Sequence, residues 1–280
     1  MRIQLTHPSL RPLTHRPRAR VLAGAIAIGL FCCVLALVGT TRHPDKPRAI
    51  TASEAQRLAM VRFKAYDASP ETVTLTIDDG TDSYAVRGLV DYRTHHAVGT
   101  FVAGVTGQRQ QRGLLAWDDT GLAIAPGAEG TSPSSEMARI ARAAEKVHAH
   151  HWSPRAYAAY PLDTALHVVM ALGADRPDNA QLLAQFGARR LGESTLRGKS
   201  YTRLSGPRPR PQAARGAGAP NQRIPSSSPL TYWVDQDGNL GRLEIKGAAM
   251  ERPMTVDFLG HEAHAKVPAE PWQELTGHGG

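Results

Sequence analysis

A few short patterns in this 280-residue chain carry residue types that could do chemistry. Asp78 and Asp79 are adjacent carboxylates, which could supply a base and a metal ligand, although Asp-Asp-Gly also commonly ends a strand in a turn. His148, His150 and His151 could bind a metal. Histidines at a helix end more often interact with the helix dipole or lie in solvent. His95-His96 is interpreted in the same way.

A third pattern, Asp235-Gln236-Asp237-Gly238, hints at a calcium-binding loop. An EF-hand loop needs glycine at its sixth position and a bidentate glutamate at its twelfth. Here Gly238 falls at the fourth position and Lys246 at the twelfth, so we predict a hairpin turn. The chain also shows no Ser-His-Asp constellation, glycine-rich phosphate loop or Cys-x-x-Cys pair. We therefore predict no catalytic residues, no metal, no cofactor and no enzyme activity.

The segment LTIDDG at 75–80 resembles the first motif of polysaccharide deacetylases, and GTFVAG at 99–104 is similar to the strand that follows it. The resemblance implies an aspartate pair that acts as base and metal ligand, with two histidines completing the metal site. No H-x-x-x-H follows Gly104, and carboxylates without those histidines cannot hold a divalent metal tightly. The turn interpretation is favoured, and a deacetylase-like enzyme is kept only as a third hypothesis.

The net charge of +8 is unevenly distributed along the chain. Residues 1–50 carry eight basic side chains against one acid, and 205–229 carries four arginines and no acid. The remainder is slightly acidic. Nucleic-acid binding needs a basic patch on the fold, so we predict no nucleic-acid partner.

An uncharged apolar run, VLAGAIAIGLFCCVLALVGT at 21–40, has the length of about twenty residues that spans a bilayer. A cleaved signal usually has a shorter apolar region and a small-x-small cleavage site. Phe31 precedes Cys32, which argues against lipidation there. Five arginines precede the run, so the positive-inside rule places the N-terminus inside. We predict a single-pass cell-membrane protein, with the bilayer as partner and the bulk of the chain extracytoplasmic.

The remaining chain predicts helices and antiparallel strands in separate runs, which is typical of the α+β class. Thr51 and Glu54 fit a capping box that opens a helix to Ala65. Further helices are expected from a cap at Ser135, over 162–172, and from a first-turn proline at Pro177. The expected strands lie at 72–77, 84–92, 98–102, 114–124, 192–204, 230–245 and 254–258.

These patterns give the following organisation. A cytoplasmic basic tail covers 1–20, the transmembrane helix 21–40 and a linker 41–50. An extracytoplasmic α+β domain covers 51–270, with a disordered insertion at 205–229 that is rich in Pro, Gly and Ser. A flexible tail covers 271–280. The only cysteines, Cys32 and Cys33, lie in the apolar run, so the exported domain is stabilised by packing without disulfides.

Several segments resemble a group of actinobacterial (Streptomyces-like) single-pass membrane proteins. They are SEAQRLA and RFKAYD within 53–67, GLLAW at 113–117, LGADRPDN at 172–179 and YWVDQDGNLGRLE at 232–244. The layout is more distantly similar to the LppX/LprG and LolA lipoproteins, with the Trp-Val-Asp-x-Asp-Gly hairpin as the nearest local match. That resemblance implies a curved antiparallel sheet packed on helices, a half-barrel, with an apolar cavity for acyl chains.

The lipoproteins differ from this chain in carrying a lipobox cysteine, so we expect a tethered relative. Under this resemblance the cavity would be lined by Trp117, Trp233, Leu115 and Leu243. The strand tryptophans could instead pack the sheet against a helix. The leading hypothesis is a membrane-tethered binding module for a lipid or other apolar ligand. The alternative is an envelope scaffold whose sheet docks another protein.

Overall fold

The computed structural model describes residues 46–105, 109–127, 136–208, 227–247, 250–263 and 265–268. All of them belong to the unit that spans Asp45–Gly280. They form the predicted α+β fold, with one large antiparallel sheet. The described helices are α1 (Ala52–Asp67), α2 (Met137–Lys146), α3 (Pro161–Met170) and α4 (Ala180–Gln185). The described strands are β1 (Arg48–Ala49), β2 (Glu71–Asp78), β3 (Asp82–Asp91), β4 (His96–Val105), β5 (Gln111–Trp117), β6 (Gly121–Pro126), β7 (Ser153–Ala156), β8 (Arg189–Leu196), β9 (Lys199–Ser205), β10 (Leu230–Val234), β11 (Leu240–Ile245) and β12 (Met254–His261).

The sheet consists of two meanders joined by the last strand. Its spatial order is β1-β8-β9-β10-β11-β12-β2-β3-β4-β5-β6-β7, and every pair is antiparallel. Within each meander, strands that follow one another in the sequence are paired; β6 and β7 pair across α2, and β9 and β10 pair across residues 206–229. The β12–β2 pair joins the meanders, with Val256 opposite Leu75 and Phe258 opposite Val73.

Strand alternation separates the sheet into two faces. We call the face that carries Val73, Leu75 and Ile77 the front face; the other is the back face. Antiparallel partners share a face, so the front face continues through Tyr232, Leu243, Val256, Leu75, Val86 and Phe101, which stand opposite one another along the register.

Helices cover both faces. On the front face, α3 contacts β2, β6 and β12, and α1 contacts β10 and α4. On the back face, α2 packs Met137, Ile140 and Ala144 onto the buried Leu114 and Ala116 of β5. Burying these apolar side chains on each face is the main favourable term that holds the layers together.

The sheet does not form the curved half-barrel that we expected. The described sheet is open and uncurled, with β1 and β7 at its two edges. The reason lies in β3 to β6, whose buried apolar side chains occupy both faces. Leu89 and Val98, for example, lie on the back face and Val90 lies on the front face. A half-barrel packs helices into one concave face only, whereas these strands need cover on both.

Most predicted elements are present, with changes at their ends. The capping box at Thr51 and Glu54 is confirmed, and α1 begins at Ala52. Helix α2 is preceded by Glu136, which makes no side-chain cap, and Ser135 lies outside the described residues. Helix α4 is capped by Asn179, so Pro177 precedes the helix instead of opening it. Strands β1 and β7 were not predicted, because they are too short to show alternation.

No helix among the described residues is both long enough and apolar enough to cross a membrane. The predicted span at 21–40, the basic tail at 1–20 and the tail at 271–280 lie outside those residues. Most of the predicted disordered insertion, 209–226, also lies outside them.

A buried carboxyl lies where β2 begins. Glu71 stands opposite Val90 of β3 and is 8% exposed. Its carboxyl group makes no hydrogen bond or ion pair with a described residue, and the buried hydroxyl of Tyr92 is also without a described partner. Burial raises the pKa of Glu71 from 4.5 to about 8. The folded protein therefore holds a proton on Glu71 at neutral pH that the unfolded chain releases.

This raised pKa makes the free energy of unfolding depend on pH. The stabilising contribution of the proton is complete below about pH 4.5 and is lost as the pH rises towards about 8. We expect Glu71→Gln to remove this dependence, so that its stability relative to the parent improves by on the order of 3–5 kcal/mol between pH 4.5 and pH 8. Urea unfolding across this range measures it. The exposed Glu251→Gln is the control, and parallel curves for Glu71→Gln and the parent would contradict the prediction.

Candidate functional site

Three of the residues predicted to line a cavity lie in the front-face core. Leu115, Trp117 and Leu243 are almost completely buried there. The indole of Trp117 lies over Gly88 of β3, where a Cβ would stand 2.4 Å from its Cη2 atom. The absence of a side chain at Gly88 therefore creates the space that the ring occupies.

Trp233 lies on the opposite face. Its neighbours across β9 and β11 are Arg203 and Arg242. The two guanidinium groups lie 5.5 and 5.3 Å from the ring, close enough for cation–π interaction. Arg242 also donates to both oxygens of Asp257 at 2.6 and 2.8 Å. The structure therefore does not bring Trp233 together with the other three residues.

The carboxylate patterns form turns. Asp78 accepts from the Gly80 N–H at 3.0 Å, and Asp79 accepts from the Thr81 and Asp82 N–H groups at 2.9 and 2.7 Å. Asp235 accepts from the N–H groups of Asp237 and Asn239 and thus closes the β10–β11 hairpin, as predicted. No group of three metal-ligating side chains with suitable geometry occurs among the described residues.

An apolar groove of about 430 Å³ opens on the front side, between the helices and the end of β10. We call it the apolar groove. Its lining comes from α1, the end of α3, α4 and β10, and consists of Leu58, Val61, Arg62, Val168, Ala171, Leu172, Asp178, Asn179, Leu182, Leu183, Phe186, Pro207, Leu230 and Tyr232. The volume lies within the range of small-molecule sites. None of the four residues predicted to line a cavity contributes to it.

Backbone hydrogen bonds hold the walls of the apolar groove in place. The connection between α3 and α4 is tied to α1, because the Ala174 N–H donates to the Arg62 carbonyl and the Asp178 N–H to the Ala59 carbonyl. The Arg208 N–H donates to the Phe186 carbonyl and fixes the far end of α4. The groove is thus framed by main chain as well as by side-chain packing.

A polar cavity of about 710 Å³, which we call the polar basin, adjoins the apolar groove. The two share Arg62, Asp178 and Asn179. Arg62 pairs with Asp178 at 3.1 Å across the junction. The basin is otherwise lined by Tyr66, Arg93, His95, Gly173, Ala174, Asp175, Arg176 and Pro177.

Tyr232 contributes a phenol hydroxyl to the lining of the apolar groove. Its hydroxyl makes no hydrogen bond with a described residue. Burial raises its pKa to about 12, and the nearby Arg62 partly offsets that rise. The phenol stays neutral at physiological pH, so it can donate one hydrogen bond to an acceptor on a bound molecule.

The apolar groove and the polar basin together suit an amphiphilic molecule. An apolar chain would bury its surface against the leucines and Phe186, while a polar or anionic head would meet the cations of the basin. Sequence reasoning missed these residues because no motif marks them. Of the segments quoted for the resemblance, 53–67, 172–179 and 232–244 contribute residues to this groove and basin, and 113–117 contributes none.

Comparison with protein-family models and with curated proteins found no match to this chain.

The packing of Trp117 on Gly88 yields a test of the core beside the site. We expect Gly88→Ala to lower the free energy of unfolding by about 1–3 kcal/mol, because the added methyl would collide with the buried indole. Urea denaturation measures the change. Thr76→Ala, at an exposed position on the neighbouring strand, is the control. An equally stable Gly88→Ala protein would show that the ring can move aside.

Proposed function

We propose that this protein is a membrane-tethered extracytoplasmic module that binds an amphipathic lipid or similar apolar ligand, with no catalytic step. The observation that carries the proposal is that the apolar groove and the polar basin lie side by side and share Arg62, Asp178 and Asn179 in their linings. An apolar space beside one lined by Arg62, Arg93 and Arg176, together with Asp175 and Asp178, matches a molecule with one apolar and one polar end.

Two further observations support the proposal. Leu182 is 42% exposed although it is large and apolar, and it lies on the lip of the groove. Exposed apolar surface inside a concavity is typical of a ligand site. The proposal does not depend on a half-barrel, since the groove is built between helices and the end of a strand instead of inside a curled sheet.

We also propose that the protein is tethered to the membrane by its N-terminal segment. The apolar run at 21–40 and the arginines before it support an N-in anchor. An anchored module would take up or present its ligand at the membrane surface. It would not carry the ligand freely between membranes.

A pair of variants tests ligand binding. We expect Leu182→Asp to reduce labelling of the groove at least about fivefold, because a charge in an apolar site costs more than about 1 kcal/mol of binding. The full-length protein in cells is labelled with a palmitate that carries a diazirine and an alkyne. Cross-linked peptides are then mapped by mass spectrometry.

The matched control is Leu259→Asp. Leu259 is 43% exposed, nearly the same as Leu182, but lies on β12 outside the groove. Its labelling should equal that of the parent. Labelling that is confined to 21–40, or that falls equally in both variants, would reject the apolar groove as a lipid site and favour the scaffold alternative.

Reporter fusions test the tether separately. We expect alkaline phosphatase fused after Gly280 to be active and green fluorescent protein at the same position to be dark, because the former needs export and the latter usually fails to mature when exported unfolded. Activity of both reporters in cell fractions, normalised to fusion abundance, gives the result. The reverse pair would place the domain in the cytoplasm.

A further inference from the structure

A second groove lies along the exposed side of α2, the helix that covers the back face. It has a volume of about 1210 Å³ and is separate from the apolar groove. We call it the basic groove. One wall is the end of β6, from Ala125 to Gly127, and the other is α2 with the turn that follows it. Its polar lining consists of Arg139, Arg142, Lys146, His148, His150 and His151.

The helix pattern produces this segregation of charge. Met137, Ile140 and Ala144 are buried against the sheet. Arg142 and Lys146 occupy the opposite side, where residues three and four apart are neighbours. The acids of this element, Glu136 and Glu145, do not line the groove. A local basic surface therefore exists on a domain whose overall charge is slightly acidic.

These cations are free to meet a ligand. Arg139, Arg142 and Lys146 are exposed, and none forms an ion pair with a described carboxylate. The side chain of Arg142 makes one hydrogen bond within the described chain, from its Nε atom to the Ala138 carbonyl at 3.0 Å. The three cations therefore keep most of their donors available.

The histidines extend the same surface. The ring centroids of His150 and His151 are 4.0 Å apart, and His148 stacks on His150 at 5.7 Å. No metal-binding group of three occurs among the described residues. Imidazole N–H groups can donate hydrogen bonds to an anion. They lie directly after the C-terminal end of α2 and continue the row of donors.

We infer that the basic groove binds a linear phosphate-bearing polyanion. The cations form a row with spacings of about 4.5 and 6 Å along the helix axis. They do not converge on one point, so successive phosphates of a chain fit better than a single anion. Arginine and lysine are the usual phosphate partners. Among the described residues that line the groove there is no Phe, Tyr or Trp, so they offer nucleic-acid bases no large aromatic ring on which to stack.

The test measures binding of the full-length protein, held in a non-ionic detergent, to long-chain inorganic polyphosphate. The variant Arg139→Gln/Arg142→Gln/Lys146→Gln should bind at least about tenfold more weakly at low salt. The slope of log affinity against log salt should become shallower by about 2, since three phosphate contacts are lost. These side chains are exposed, so folding is unaffected, which thermal unfolding of each variant verifies.

The control variant is Arg189→Gln/Lys246→Gln/Arg252→Gln, which removes the same charge from exposed positions outside the basic groove. It should bind polyphosphate as the parent does. Equal weakening in both variants, or no binding at all, would overturn the proposal. Oligothymidylate serves as a competitor, and tighter binding to it than to polyphosphate would replace the proposal with nucleic-acid binding.

Discussion

The fold depends on the pairing of β12 with β2. Most other strand pairs in the described sheet join strands that follow one another in the sequence, and the short connections among them close at small entropic cost. The exception in sequence distance is β1–β8, with Arg48 opposite Arg190. The β12–β2 pair instead joins segments about 180 residues apart, with Val256 opposite Leu75 and Phe258 opposite Val73. Such a pairing forms only when apolar burial on both strands offsets the loss of chain entropy. Both strands are rich in buried β-branched and aromatic residues on the front face.

The apolar groove depends on long-range pairing as well. Helix α1 precedes β2 in the chain, whereas Tyr232 lies in the meander that β12 brings alongside. Strand β1, just before α1, pairs with β8 of that same meander, so the β1–β8 and β12–β2 pairs together place Arg62 beside Tyr232. The connection between α3 and α4 then hydrogen-bonds to α1 and supplies the third wall. Each wall comes from a different part of the sequence, so no local motif could mark the site.

Charge and polarity are distributed between the two faces in different ways. The front side carries the apolar groove, with its charges confined to one end. The back side carries the row of cations on α2 and the stack in which Arg203 and Arg242 flank Trp233. A count of charges along the sequence combines residues that lie on different surfaces. For this reason it predicted no basic patch, although Arg139, Arg142 and Lys146 form one. Proximity in the fold, and not net charge, sets the local potential.

The sequence by itself determined the class of fold, most strand and helix positions, the capping box at Thr51 and the turns at Asp78 and Asp235. Each follows from interactions within a few residues. Only the tertiary structure decided which residues lie together. Trp117 and Trp233 both looked suited to one cavity, yet the register of the sheet places them on opposite faces. Successive side chains of a strand point to opposite faces of the sheet. Whether two distant residues share a face therefore depends on long-range pairing, which no short segment encodes.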